Sequence, residues 1–368
     1  MKAELPTPQD EKPLLALHNV TKTFGAMNWF GMSAKTAVTA VDGVSFVLRR
    51  GETLGLVGET GSGKSTIGRV ILRLEDPTSG AINFKNEDIA KLNRQAVRRR
   101  RRDMQMVFQD PYGSLDPRMT VGDLISEPMI VHGVPRSEIA GRMGRILDQV
   151  GLARDMAERY PHEFSGGQRQ RIGVARALVL EPDLLILDEP VSALDVSIQA
   201  QILNMLRRIQ RETRISYLFI AHDLAVVRHI SDRIAVLYLG RIVETAPRDR
   251  LYAAPRHPYT VSLLSAVPVP NPDLERARNR VELHGEISSG TAIPSGCRFH
   301  PRCFRARLVA AAGNETVVRA AVGTVPRKCA DADPALSTVA DVSGHEVACH
   351  FPLTEDELPN VMGAMVTA

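Results

Sequence analysis

The run Gly58-Glu59-Thr60-Gly61-Ser62-Gly63-Lys64-Ser65 sets glycines, a lysine and a hydroxyl directly after the apolar stretch Thr53–Val57 and before a segment of helical spacing. Glycine lets a backbone wrap an anion closely, and successive amide N–H groups make a concavity that favours negative charge. At a helix start the unpaired amides and the dipole add to this attraction. Lys64 supplies a point charge for β- and γ-phosphates, and the Ser65 hydroxyl, followed by Thr66, suits Mg²⁺ and the neighbouring phosphates. The run therefore predicts a nucleotide phosphate site. Alone, it does not separate a kinase from a GTPase or a transport motor.

A second constellation stands at Leu184-Leu185-Ile186-Leu187-Asp188-Glu189, an apolar strand that delivers two acids at its C-terminal end. In open α/β sheets ligands bind beyond the carboxyl ends of the strands. Asp188 is assigned to Mg²⁺, directly or through water, and Glu189 to accepting a proton from the attacking water or orienting it. Taken alone, the pair before Pro190 would read as a solvated acidic turn.

Phe164-Ser165-Gly166-Gly167-Gln168-Arg169-Gln170-Arg171 resembles the signature loop of ABC ATPases, which ordinary P-loop kinases and GTPases lack. The resemblance implies that Ser165, Gly166, Gly167 and Gln168 serve the nucleotide held by an opposite subunit, so that ATP is sandwiched between two motor domains. Further elements match in order. Val107-Phe108-Gln109-Asp110-Pro111 looks like the Q-loop, with Gln109 touching Mg²⁺ and water, and Ser192-Ala193-Leu194-Asp195 resembles the D-loop at the dimer seam. His222 stands where the family places a γ-phosphate contact, and Phe24 is the candidate for stacking on adenine, against an ordinary core role.

The likeness narrows at Phe108 to Arg118, Pro190 to Ser197 and His257-Pro258-Tyr259-Thr260, which look like ATP-binding subunits of oligopeptide and dipeptide importers. It implies a second, usually non-identical ATPase subunit, two permease subunits and an extracytoplasmic binding protein. The related importers also carry nickel, glutathione or sugars. In this family a C-terminal extension carries four cysteines that resemble an iron–sulfur ligand set, and this chain has Cys297, Cys303, Cys329 and Cys349. Here residues 305–327 intervene where the third cysteine usually follows soon after the second. A [4Fe–4S] cluster, free thiols and zinc stay open, with His300, His345 and His350 as spare ligands or ordinary polar residues.

These residues require a scaffold of alternating strands and helices. Strands are expected at Leu14 to Val20, Val44 to Leu48, Thr53 to Val57, Leu184 to Leu187, Tyr217 to Ala221 and Ile234 to Leu239. Helices are expected at Lys64 to Leu74 and Gln168 to Leu180, with an irregular loop over Gly25 to Thr39. This alternation predicts an α/β fold with a mainly parallel sheet, a P-loop NTPase of the ABC type with an inserted helical subdomain and a small C-terminal extension. The expected organisation is a leader at 1–13, an ATPase domain at 14–254 with helical residues near 111–178, and an extension at 255–368, where prolines multiply.

With 368 residues and 44% hydrophobic content, the chain can bury the core such a scaffold needs. Its 46 basic and 42 acidic residues nearly balance, which argues against a nucleic-acid partner. The run Arg98 to Arg102 reads first as a solvated helix face, then as a surface for anionic lipid or an acidic permease, and last as a nucleic-acid contact. No apolar stretch approaches a membrane span and the first residues lack a signal-peptide core, so a peripheral position on the cytoplasmic face of the inner membrane is expected. A soluble ABC ATPase of translation or repair is the competing reading. Such proteins carry tandem motors or coiled-coil insertions, and this sequence has a single phosphate loop and a single signature.

Overall fold

The computed structural model describes residues 12–25, 37–268, 271, 273, 276, 280, 281, 283, 293–320, 323–340 and 342–358. Residues 1–11 of the expected leader and 26–36 of the expected loop lie outside the described residues. In chain order the strands are β1 (Leu15–Phe24), β2 (Val38–Leu48), β3 (Thr53–Val57), β4 (Ser79–Phe84), β5 (Glu87–Asp88), β6 (Met104–Val107) and β7 (Leu184–Asp188). They continue as β8 (Ser216–Ala221), β9 (Arg233–Tyr238), β10 (Arg241–Pro247), β11 (Val317–Ala320), β12 (Gly323–Pro326), β13 (Ser337–Thr338) and β14 (Glu346–Val347).

The described residues form two compact units, one within 12–20, 45–53 and 68–220, the other within 21–25, 37–44, 54–67 and 221–358. In the first, β6, β7 and β8 run parallel, with Met104 opposite Leu184 and Ile186 opposite Leu218. Every residue of β7 and β8 is buried, as expected of parallel strands covered on both faces. Helices Val121–Val131, Arg136–Val150 and Gly166–Leu178 lie between Val107 and Leu184, and no strand interrupts them among the described residues. Thr120 and Asp123 form a capping box at the first, and Gly151 at φ +71 ends the second.

The five arginines close helix Arg94–Arg100. Arg101 donates to the carbonyls of Leu72 and Arg73, just beyond helix Lys64–Ile71, at 3.0 and 2.7 Å, and Arg100 pairs with Glu87 at 2.6 Å. Arg98, Arg99 and Arg102 are exposed.

In the second unit β3 pairs in parallel with β9, and β9 turns through Leu239 and Gly240, both at positive φ, into antiparallel β10. The late strand β14 pairs with β10, and β13 with β14, so residues near the C-terminus extend the sheet that contains the strand before the phosphate loop. Buried Glu244 at the centre of β10 accepts the amides of Arg256 and His257 at 2.7 and 2.9 Å and stands 2.7 Å from His345 Nε2. A buried carboxylate is retained only with such partners.

The structure differs from expectation at several boundaries. The first strand runs on to Phe24, the second starts at Val38, so Val38 and Thr39 are strand residues, and helix Gly166–Leu178 begins two residues earlier than Gln168 and ends before Leu180. The helix at Lys64 stops at Ile71 instead of Leu74, and Arg73 follows at φ +52, a left-handed conformation that breaks the helical path.

Candidate functional site

Buried β3 delivers the chain into Gly58, and helix Lys64–Ile71 begins where the loop ends. Glycine is obligatory at two points for contact reasons. A Cβ on Gly58 would lie 2.2 Å from the Leu237 carbonyl oxygen, and one on Gly63, at φ +105, would lie 2.1 Å from that of Ala40. By contrast Gly61, at φ +82, has open space around its Cβ position. Lys64 is 5% exposed, and its Nζ donates to the carbonyls of Gly58 and Glu59 at 2.7 and 2.9 Å. The ammonium thus sits inside the loop's own curve, the position from which it can exchange carbonyl oxygens for phosphate oxygens.

Glu59 is held from several directions. Its amide donates to the Tyr259 hydroxyl at 2.9 Å, and its carboxylate takes both arms of the Arg302 guanidinium, at 2.8 and 3.1 Å. Tyr259 packs its ring 4.7 Å from Tyr238 and 5.4 Å from Phe299. On the other side Gly240 donates to the Ser62 carbonyl at 2.9 Å, and Arg298 binds the Leu239 carbonyl and the Asp42 carboxylate. Tyr259, Arg298 and Arg302 were not among the expected site residues. Their only sequence signal was their place inside the His257 to Thr260 and Cys297 to Cys303 runs.

In the other unit, Asp188 is the buried last residue of β7 and Glu189 is the first residue beyond it. Glu189 adopts φ +47, held by its amide donating to the Ile220 carbonyl at 2.9 Å. A non-glycine residue in this region is strained by about 1 kcal/mol or more, and such residues cluster at functional sites. Gln109 Nε2 donates to Glu189 Oε2 at 3.0 Å, so the expected Q-loop amide and the expected base form a pair.

Ser165 caps helix Gly166–Leu178. Its hydroxyl accepts the Gln168 amide at 3.4 Å, and Gln168 Oε1 accepts the Ser165 amide at 3.0 Å, a reciprocal box that fixes the signature loop. Gly167 is buried against Ile198, whose Cγ2 would stand 2.5 Å from an added Cβ. Asp195 is the exposed N-cap position of helix Val196–Thr213, and Gln199 ties the carbonyls of Val191 and Leu194 at 3.1 and 2.9 Å. Val196 beside it is 81% exposed.

His222 is exposed, after β8 and before Asp223, which caps helix Leu224–Ile230. Phe24 ends β1 with its ring partly exposed and Lys22 Nζ 4.7 Å from its centroid.

The intervening residues 305–327 form helix Phe304–Ala311 and the β11–β12 hairpin, and they return Cys329 so that the Cys297 amide donates to its carbonyl at 2.9 Å. None of the four cysteines is in a disulfide. Burial pushes Cys297 up to about 11, Cys329 and Cys349 up to about 12, and Cys303 well above its ordinary value. Cys303 also feels Cys349, Cys297 and Cys329, Cys349 feels Cys297 and Cys329, and Cys329 feels Cys297, which places the four in one neighbourhood. Among the described residues, however, no group of three or more His, Cys, Asp or Glu side chains is arranged to hold a metal ion. Of the readings left open for Cys297, Cys303, Cys329 and Cys349, iron–sulfur ligation is therefore not supported by this geometry.

No helix among the described residues is long and apolar enough to cross a membrane. The ABC transporter family profile matches residues 41–192, and that of the oligopeptide/dipeptide transporter C-terminal region matches residues 243–308. The putative oligopeptide transport ATP-binding protein YkfD of Bacillus subtilis (strain 168) is 47% identical over 324 residues, 88% of this chain and 92% of that protein. The oligopeptide transport ATP-binding protein AppF of the same strain is 50% identical over 81% of this chain and 91% of its own length. Among solved structures, cbiO1 of Clostridium perfringens, part of an ABC transporter complex, is 28% identical with a TM-score of 0.59, covering 66% of this chain and 92% of that one. An ATP-binding cassette solved as a post-hydrolysis dimer with ADP and Pi is 28% identical with a TM-score of 0.57, over 64% of this chain and 98% of its own. With these relatives and family matches, the chain belongs to the ABC ATPases, as an ATP-binding subunit of the oligopeptide/dipeptide transporter type.

Proposed function

We propose that this chain hydrolyses ATP to drive an importer of peptides or related small solutes. The observation that carries the reading is the joint presence of a complete ABC motor motif set and the transporter-type C-terminal region over residues 243–308, with relatives named for peptide transport. We assign residues 14–254 to the motor and 255–368 to the extension.

In the proposed reaction the amides of Gly58 to Ser65 and Thr66 hold the phosphates, and Lys64 exchanges its carbonyl partners for phosphate oxygens. Ser65, Gln109 and Asp188 would hold Mg²⁺, which when bound neutralises phosphate charge and polarises the transferred group. Glu189 accepts a proton from the attacking water or orients it, and Gln109 fixes its carboxylate by the 3.0 Å hydrogen bond. His222 contacts the γ-phosphate and Phe24 stacks on adenine. Ser165, Gly166, Gly167 and Gln168, with Asp195, complete the site of a second ATPase subunit, so turnover requires a dimer. Two permease subunits and an extracytoplasmic binding protein complete the assembly, which places the chain at the cytoplasmic face of the membrane.

The test is hydrolysis in proteoliposomes that contain this chain with two permease subunits and a second ATPase subunit of a peptide importer. Peptide-loaded binding protein on the permease side should stimulate ATP turnover several-fold. Turnover indifferent to peptide, permease and binding protein alike would favour a soluble ATPase instead.

A further inference from the structure

The cysteine loop from Cys297 to Cys303 reaches the phosphate loop through Arg302. Arg302 is 7% exposed, and its guanidinium meets the Glu59 carboxylate, 21% exposed, in a two-armed ion pair at 2.8 and 3.1 Å. The two residues are 243 positions apart in sequence. Glu59 stands in the phosphate-loop run Gly58 to Ser65, where an unneutralised carboxylate would repel an incoming triphosphate. Its amide is meanwhile fixed by Tyr259, and its carbonyl accepts Lys64. The peptide groups of residue 59 thus shape the cradle while its side chain carries the wrong charge for it. A planar guanidinium with paired hydrogen bonds both neutralises such a carboxylate and fixes its direction, which a single ammonium does less well.

We propose that Arg302 is a positioning residue for ATP binding: from the C-terminal extension it neutralises Glu59 and holds it in a conformation that leaves the phosphate cradle receptive to the triphosphate. This rests on the reading of Gly58 to Ser65 as the ATP site. It gives the extension a direct role in nucleotide affinity, separate from any ligand its cysteines take.

The experiment uses the full chain and compares wild type, Arg302→Met, Arg302→Lys, Glu59→Gln and the double variant Glu59→Gln/Arg302→Met. Steady-state hydrolysis supplies KM and kcat, equilibrium dialysis supplies ATP affinity, and thermal melting reports folding. Losing the neutralising charge should raise the ATP KM and dissociation constant about tenfold for Arg302→Met, with kcat within about twofold of wild type. Arg302→Lys, which keeps the charge and most of the packing, should stay within about threefold, and it carries the test if the Met variant does not fold. Adding Glu59→Gln to Arg302→Met should return KM to the value of Glu59→Gln alone, because the unbalanced charge is gone. An ATP affinity untouched in well-folded Arg302→Met, or a double variant as weak as Arg302→Met, overturns the proposal. So does Arg302→Lys matching the full Met defect at a wild-type melting temperature. Absence of ATP hydrolysis by the wild-type assembly would instead overturn the functional reading.

Discussion

Gln109 Nε2 donates to Glu189 Oε2 at 3.0 Å, so an amide and a carboxylate 80 residues apart stand as one pair at the end of a buried strand. In the proposed reaction this bond orients the acid that takes the water proton. Replacing Glu189 by Gln keeps the shape and removes the base, so turnover should fall on the order of 10²–10⁴-fold while ATP binding persists. Single-turnover hydrolysis together with filter binding of labelled ATP separates the two effects. Undiminished turnover would remove Glu189 from its role.

Lys64 holds the Gly58 and Glu59 carbonyls at 2.7 and 2.9 Å and is nearly buried. Lys64→Ala removes the charge that phosphate would take up, and a hydrogen bond to a charged group contributes about 1.5–3 kcal/mol, on the order of 10–100-fold in affinity. Isothermal titration with ATP should show this loss as weaker binding, not merely slower hydrolysis.

Gly63 has no room for a side chain, since a Cβ would sit 2.1 Å from the Ala40 carbonyl oxygen at φ +105. Gly63→Ala must therefore shift backbone, at a cost of at least about 1–2 kcal/mol. A lowered melting temperature and lost nucleotide protection against melting are expected together. An alanine variant that melts and binds like wild type would contradict the loop geometry.

His257 is fully buried, with Nδ1 accepting the Tyr259 amide at 3.0 Å, and burial lowers it from 6.5 to about 4 against the opposing pull of Glu244. The unfolded chain takes up this proton near pH 6.5 and the folded chain only near pH 4. The group's contribution is therefore complete above pH 6.5 and declines as pH falls toward 4, by ~3 kcal/mol in all. Melting temperatures between pH 7.5 and 5 should fall accordingly. In His257→Asn, which retains an acceptor for the Tyr259 amide, that slope should flatten.

The strands that run through the core were legible because they are uninterrupted apolar runs. Thr53–Val57 is bounded as expected, and Leu184 to Leu187 gains only Asp188. Strand β10 was not, because RIVETAP carries Glu244 at its centre, and only the fold supplies His345 and the amides of Arg256 and His257 that make this acid tolerable there. Helix Gly166–Leu178 starts earlier than its periodicity suggests because Ser165 and Gln168 cap it, which lets two glycines enter the first turn. In the site, the local motifs could be read off directly, whereas the Arg302–Glu59 pair could not. Its partners are joined by tertiary packing of Tyr238, Tyr259 and Phe299, and no local periodicity encodes that.

In the proposed function, ATP hydrolysis by this chain drives uptake of peptides. The most direct test is the initial rate of labelled tripeptide uptake by cells that lack the chain and carry either the wild type or Glu189→Gln at equal abundance. Wild type should restore uptake and Glu189→Gln should leave it at the level of the deletion. Uptake that is unaffected by the deletion, or restored equally by both forms, would contradict the account.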